Sequence, residues 1–352
     1  MAFENLTERE KQVLSNLIEH YIRSADPVGS RVIAHKFRMG VSSATIRNTL
    51  QDLEELGLVR QPHTSAGRIP TDLGYRVYVD YLLKPEDLTE SEKERIKDVI
   101  VSHGRGLDDI LGQTCRVLSD ITNQLGVSIA PRFDRGVLRR IELISLSQGR
   151  IMAVVVVESG LARSVIVEVE TSIDEASLRE VEQVLNERLA GLSLGEIRTT
   201  ISKRLADHTG SGRLVKLIID SRDRIWADDP AGAIHLAGVE RLLSQPEFSE
   251  IDRITRIVRL LEDNRTLKEF LSSAYEEGLF ITIGRENKFD EILNCSLVTS
   301  SYKVGSIAGT IGIIGPTRME YGKLVSIVDY TARAITEVLS GMSSKEGESK
   351  DA

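Results

Sequence analysis

The sequence predicts an α+β chain of more than one domain, and three observations carry that expectation. Its 352 residues exceed what one ordinary core usually holds. Helical spacing of apolar residues dominates up to Leu125, apart from one short hairpin. β-Branched runs broken by Gln148-Gly149 and Ser159-Gly160 then take over, and strand-like segments return before a final helix.

The N-terminal elements justify themselves in order. Thr7-x-x-Glu10 is a capping box, in which each side chain satisfies the other residue's free backbone N–H. The helix behind it presents Val13, Leu14, Leu17, Ile18, Tyr21 and Ile22 to a core, and Ser24-Ala25-Asp26-Pro27 breaks it. A short second helix, Ser30 to Lys36, adds Val32, Ile33 and Phe37 to the same core, and Arg38-Met39-Gly40-Val41 turns into a third. Ser42 or Ser43 caps that third helix; Ile46, Leu50, Leu53 and Leu56 form its buried stripe, and Gly57 ends it. Leu58-Val59-Arg60 then reads as a strand, His63 to Arg68 as a polar turn, and Ile69 as a return strand stopped by Pro70. Three helices and a hairpin make a winged helix of about 70 residues.

That arrangement points to DNA. The outer face of the third helix carries Ser43, Thr45, Arg47, Asn48 and Gln51 beside the capping Ser42. These are short hydrogen-bonding groups and a guanidinium, suited to base edges and phosphates in a major groove. His63, Thr64, Ser65 and Arg68 on the hairpin are suited to the sugar-phosphate backbone or the minor groove. The competing reading is an amphipathic helix and hairpin whose polar face is merely solvated, or a winged helix that binds protein.

Composition bounds the alternatives. The net charge is −8, yet Gly29 to Arg76 holds seven Lys/Arg against four Asp/Glu, so a basic module sits on an acidic body. No apolar run reaches membrane-span length, and the opening MAFENLTEREKQ lacks the basic flank and apolar core of a signal peptide. Cys115 and Cys295 stand far apart without a CxxC, which fits a reducing cytosol and speaks against a disulfide framework. The six histidines show no HxxxH or HExxH spacing, no GxSxG is present, and Asp228-Asp229 before Pro230 reads as a solvated turn. Neither a catalytic site, a metal nor a cofactor is expected. The glycine run from Gly305 to Gly315 contains no GxxxxGK[ST] and alternates with Ile as a buried strand does.

The remaining chain completes the α+β pattern. Thr71-Asp72 opens a helix with Tyr75, Val77, Tyr78, Tyr81 and Leu82, which either packs into the core, supports the wing, or pairs two subunits. Pro85 to Asp87 is a boundary; Thr89-x-x-Glu92 caps a helix to about His103, and another follows from Leu107 to Leu125. Strands are expected at 137–146, 150–158 and 161–170, a helix at 173–189, and late strands at 279–283, 295–302 and 306–314. All are assigned to one twisted antiparallel sheet flanked by helices. A closing helix from Tyr321 to about Leu339 precedes a polar tail expected to be disordered.

PVGSRVIAHKF, VSSATIRNTLQDLEELGLV, QPHTSAGRIPTDLGYRVYVD and IGPTRMEYGKLVSIVDYTARAITEVL together resemble the heat-inducible transcription repressor family of bacteria. The motifs lie at both ends of the chain and in that family's order; residues 195–275 match least. The resemblance implies a winged-helix domain with linker helix (1–84), a GAF-like antiparallel-sheet domain in two parts (85–194 and 276–340), and an inserted, mainly helical dimerising domain (195–275). It also implies a cytoplasmic homodimer that binds double-stranded DNA at an inverted-repeat operator of the CIRCE type, upstream of chaperone operons. Chaperonin is the implied partner that keeps the repressor competent. The alternative from another class is a metabolite-responsive regulator with an effector pocket in the GAF-like domain.

Overall fold

The computed structural model describes residues 6–38, 40–102, 107–147, 149–169, 173–206, 212–226, 234–272 and 278–348. Asp228, Asp229, His103 and His208 lie outside them. The chain divides into two compact units, one formed by Met1–Ser128, His235–Ser300 and Ile311–Ala332, the other by Ile129–Ile234, Ser301–Thr310 and Arg333–Ala352.

The first unit opens with the elements the sequence predicts, but Val32 and Leu56, expected in the core, are both 39% exposed, Leu56 because it stands at the C-cap of its helix and not in the buried stripe. Helix α1 (Glu8–Ser24) carries its capping box: the Glu10 carboxylate accepts the Thr7 N–H at 2.6 Å, and Thr7 Oγ1 accepts the Glu10 N–H at 3.3 Å. Helices α2 (Ser30–Lys36) and α3 (Ser43–Glu55) follow, and strands β1 (Val59–Arg60) and β2 (Ile69–Pro70) pair antiparallel, with Arg60 opposite Ile69. Val13, Leu14, Leu17, Ile18, Ile33, Ile46, Leu53 and Leu58 are fully buried among them, the apolar spacing having put one face of each helix inward.

Helix α4 (Asp72–Val77) is capped by Thr71, whose Oγ1 accepts the Gly74 N–H at 3.0 Å, and it loosens into a π-helical turn over Tyr78–Leu82. Tyr75 and Tyr78 are buried, with the Tyr75 ring tilted against Tyr321 at 6.0 Å, while Tyr81 is exposed. Core packing thus accounts for the first two aromatics. Helices α5 (Glu90–Ser102) and α6 (Leu107–Thr122) come next, then strand β3 (Leu125–Ile129). The sequence reading ran α6 on to Leu125 and had no strand here. Asn123, with φ at 54°, breaks the helix in the left-handed region, and all five residues of Leu125–Ile129 are buried, with Leu125, Val127 and Ile129 alternating with the small Gly126 and Ser128.

In the second unit, β4 (Leu138–Ser147), β5 (Arg150–Val157) and β6 (Ala162–Glu168) form an antiparallel sheet. Helices α7 (Glu175–Leu189), α8 (Leu194–Arg204), α9 (Gly212–Asp220) and α10 (Arg222–Ile225) pack over one face. Ile141, Val155, Leu185, Ile197, Ile201, Ile218 and Trp226 belong to one buried cluster. The hydrophobic core therefore runs without interruption through residue 194, the boundary that the resemblance implies. Ile144, Met152 and Ile166 stand side by side on the other face, and Ile144, Leu146 and Ile166 are 41%, 45% and 45% exposed.

The chain then forms β7 (Ile234–Ala237), α11 (Val239–Leu243), α12 (Ile251–Glu262), α13 (Asn264–Ser272), β8 (Leu279–Ile283), β9 (Cys295–Val304), β10 (Ile307–Pro316) and α14 (Tyr321–Glu348). A five-stranded sheet runs β7-β3-β10-β9-β8. The early and late strands consequently occupy two sheets, not the single sheet expected. In the glycine run, a Cβ on Gly312 would lie 2.2 Å from the Val298 carbonyl oxygen; this glycine permits close strand packing. Helix α14 continues past Leu339 to Glu348, because one Gly341 without a following Pro costs a helix only about 1 kcal/mol. Among the described residues no helix is long and apolar enough to cross a membrane.

Candidate nucleic-acid interface

Helix α3 sorts the predicted contact residues into two groups. Ser42 is the N-cap: its Oγ accepts the Thr45 N–H at 3.1 Å and lies 2.9 Å from Thr45 Oγ1. These two hydroxyls hold the helix start, and Ser43 and Thr45 are half-buried. Arg47, Asn48 and Gln51 are exposed on the outer face, opposite the buried Ile46, Thr49, Leu50 and Leu53. Gln51 also reaches Glu55 Oε1 at 3.3 Å. No acidic residue stands in the first turn, so the helix presents its positive end together with Arg47.

The wing is shaped by a residue that sequence reasoning passed over. Gln61 Nε2 donates to the carbonyls of Thr64 (3.0 Å) and Ala66 (2.9 Å), closing the turn that exposes His63, Thr64 and Ser65. A Gln at the mouth of a polar hairpin was the only signal for it. The far arm is tied down at Arg68, whose backbone N–H and carbonyl both pair with Val28 at 2.9 Å. Here Gly67 crosses so near that a Cβ would fall 2.4 Å from the Val28 carbonyl carbon. Gly67→Ala must displace backbone, so we expect it to cost about 1–3 kcal/mol and to weaken DNA binding. Thermal unfolding and a gel shift read the two effects.

Arg68 is not at the wing tip. Its Nη2 pairs with Glu54 Oε2 of α3 at 2.8 Å, and Glu54 Oε1 accepts the Gln61 N–H at 2.9 Å. Between wing and helices lies a groove of about 460 Å³ lined by Ser30, Arg31, Arg47, Thr64, Ser65 and Arg68 among others. Arg31, exposed on α2, is a further cation of this surface that only the local charge balance signalled. Helix α4, which follows the wing, is tied to β8 and the turn after it within the same unit. Asp72 Oδ2 accepts the Arg285 N–H at 3.0 Å, and Arg76 pairs with Glu286 and donates to the Ile281 carbonyl.

Among the described residues no group of three His, Cys, Asp or Glu is placed to hold a metal. Burial pushes the thiols of Cys115 and Cys295 up to about 12, far from a nucleophile's range.

Residues 5–80 match the family described as winged helix-turn-helix transcription repressor, HrcA DNA-binding, and residues 108–325 match the HrcA protein C-terminal domain. The chain belongs to the HrcA family. It is 38% identical to the heat-inducible transcription repressor HrcA of Chlorobium phaeobacteroides over 355 residues, covering 97% of this chain and 100% of that one. It is also 38% identical to the same-named repressor of Pelotomaculum thermopropionicum, over 95% of this chain and 97% of the relative. A crystal structure described as a hypothetical protein shares the fold, with a TM-score of 0.60 at 24% identity over 96% of this chain and 99% of that one. HrcA proteins are DNA-binding transcription repressors rather than enzymes, and the winged helix is the module that the family model describes as DNA-binding.

Proposed function

We propose that this HrcA-family protein is a cytoplasmic repressor of heat-shock (chaperone) operons that binds an inverted-repeat, CIRCE-type operator as a homodimer, with chaperonin modulating its activity. The observation that carries the reading is the exposed Arg47-Asn48-Gln51 stripe on α3 beside a wing bearing His63, Thr64 and Ser65. A helix with such a stripe reads a half-site in the major groove, and an inverted repeat is matched by two-fold protein symmetry. The outer face of the β4-β5-β6 sheet supports the homodimer, since Ile144, Leu146 and Ile166 are apolar and exposed while the opposite face already fills a core. The chaperonin rests on the family resemblance.

A salt series of gel shifts on an intact repeat, a single half-site and scrambled DNA tests the proposal. Preference for the intact repeat is expected, and equal, steeply salt-dependent binding to all three would overturn it. Within that assay Arg47→Ala should cost about 1–3 kcal/mol on the operator and relax the preference at one base position, as loss of a bidentate base contact does. Unchanged binding would remove Arg47 from the reading face.

A further inference from the structure

Arg68 looks, from sequence, like one more cation for the phosphate backbone, but the structure gives it a partner. Glu54 spans the root of the wing: one carboxylate oxygen takes the Gln61 N–H on the entering arm, and the other takes Arg68 Nη2 on the leaving arm. The two side chains are 33% and 20% exposed, so the pair is partly sheltered from solvent. Arg68 Nε is buried without a hydrogen-bond partner, so the guanidinium retains donor capacity that this ion pair does not use. Arg31 and Arg47 line the same groove. A phosphate entering it would meet three guanidinium groups, and Glu54 is the acid that holds one of them.

We propose that Glu54 is a specificity-determining residue, which withholds Arg68 from the phosphates of non-operator DNA while fixing the wing against the reading helix. The inference rests on the DNA-binding reading above. Binding to random sequence is driven by phosphate contacts and counterion release, so each guanidinium kept out of reach lowers it directly. Binding to operator also draws on base contacts from α3 and on a wing already in register, to which the Glu54 pin contributes. One carboxylate therefore weakens the wrong complex more than the right one, which is how a repulsive or sequestering element produces discrimination. A partly exposed ion pair contributes little to folding, so stability alone gives it a small role.

Glu54→Gln in the full chain is the test, because the amide oxygen still accepts the Gln61 N–H while the charge is gone. Salt titrations compare the variant with the parent on operator and on random duplex. The expected result is about three- to tenfold tighter binding to random DNA, a salt slope steeper by about one contact, and a lower operator-to-random ratio. Adding Arg68→Ala to the variant should return the random-DNA slope to the parent's value. Glu54→Asp, too short to span both arms, should shift the ratio in the same direction by less, and reads the same property if the Gln variant does not fold. An unchanged ratio and slope, or an equal gain on both DNAs, overturns the proposal. A parent chain that shows no operator preference would instead overturn the function it rests on.

Discussion

On the proposed homodimer, Ile144→Asp combined with Ile166→Asp is expected to leave the protein monomeric and to lower its affinity for the proposed inverted-repeat operator by roughly two orders of magnitude or more. The two residues flank Met152 in one row across β4, β5 and β6, and Leu146 extends the apolar surface along β4. The folding of the second unit does not need this row. Its core lies on the opposite face, where Ile141, Ala153, Val155 and Val157 are fully buried against α7 to α9. A second copy covering the row would gain about 25 cal/mol for each Å² of apolar surface removed from water. Carboxylates placed there would have to be desolvated in both copies, at several kcal/mol per unpaired charge. The loss on DNA is larger than the loss of contacts, because a dimer binds its second half-site intramolecularly and a monomer does not. Sedimentation equilibrium should show the monomer, and circular dichroism should show the parent's secondary structure because the core of the unit lies on the opposite face, while the thermal midpoint falls by what association contributed. A variant that remains dimeric, with parental operator affinity, would show that the copies meet elsewhere.

The parts of this fold legible in the sequence are those set by local chemistry. The Thr7/Glu10 and Thr89/Glu92 boxes close as their spacing requires, Ser42 caps α3, and the strand ends at Gly149 and Gly160 adopt the positive φ that hairpin corners demand. Long-range pairing left no such mark. Leu125–Ile129, Leu-Gly-Val-Ser-Ile, is too short for its pattern to separate a helix end from a buried strand, and its place between β7 and β10 decides for the strand. Residues 194–226 read as helices in either domain assignment, and what unites them with β4–β6 is burial of Ile197, Ile201 and Ile218 in a common cluster.

The same division holds at the DNA-binding face. Periodicity placed Arg47, Asn48 and Gln51 outside, as found, because an amphipathic helix has one outward stripe. Residue type and hairpin position put Arg68 among the backbone or minor-groove contacts, since nothing in a hairpin sequence reveals that a Glu fourteen residues earlier lies against it. Ser42 and Thr45 were read as contact residues from their type, yet their hydroxyls are occupied with each other, a role their positions at N-cap and N3 equally allow.

Arg318→Met is expected to destabilise the first unit by about 3–4 kcal/mol, which lowers its thermal midpoint by on the order of 10 °C. The side chain is only 14% exposed. It binds Glu247 through two bonds, Nε to Oε1 at 2.6 Å and Nη2 to Oε2 at 3.3 Å, and donates from Nη1 to the Ile22 carbonyl in the last turn of α1. Burial works against its charge, but the hydrogen bond and attraction of Glu247 outweigh that and raise the guanidinium pKa overall. Methionine fills much of the volume and supplies no donor. The Glu247 carboxylate, 22% exposed, is then left without its cation, and a helix-end carbonyl loses its partner. Removing the second charge as well, in Arg318→Met/Glu247→Gln, should recover a substantial part of the loss, since the unpaired buried carboxylate is the larger cost. Equal losses in the single and double variants would show that the carboxylate was never the problem. Because Ile22 lies in the last turn of the helix that packs against α3, the damage should reach the winged helix. Gel shifts at rising temperature should therefore show the variant losing operator at a temperature lower than the parent's by the same interval as its melting midpoint. A variant that melts early yet holds operator as long as the parent would mean that the winged helix keeps its structure without this anchor.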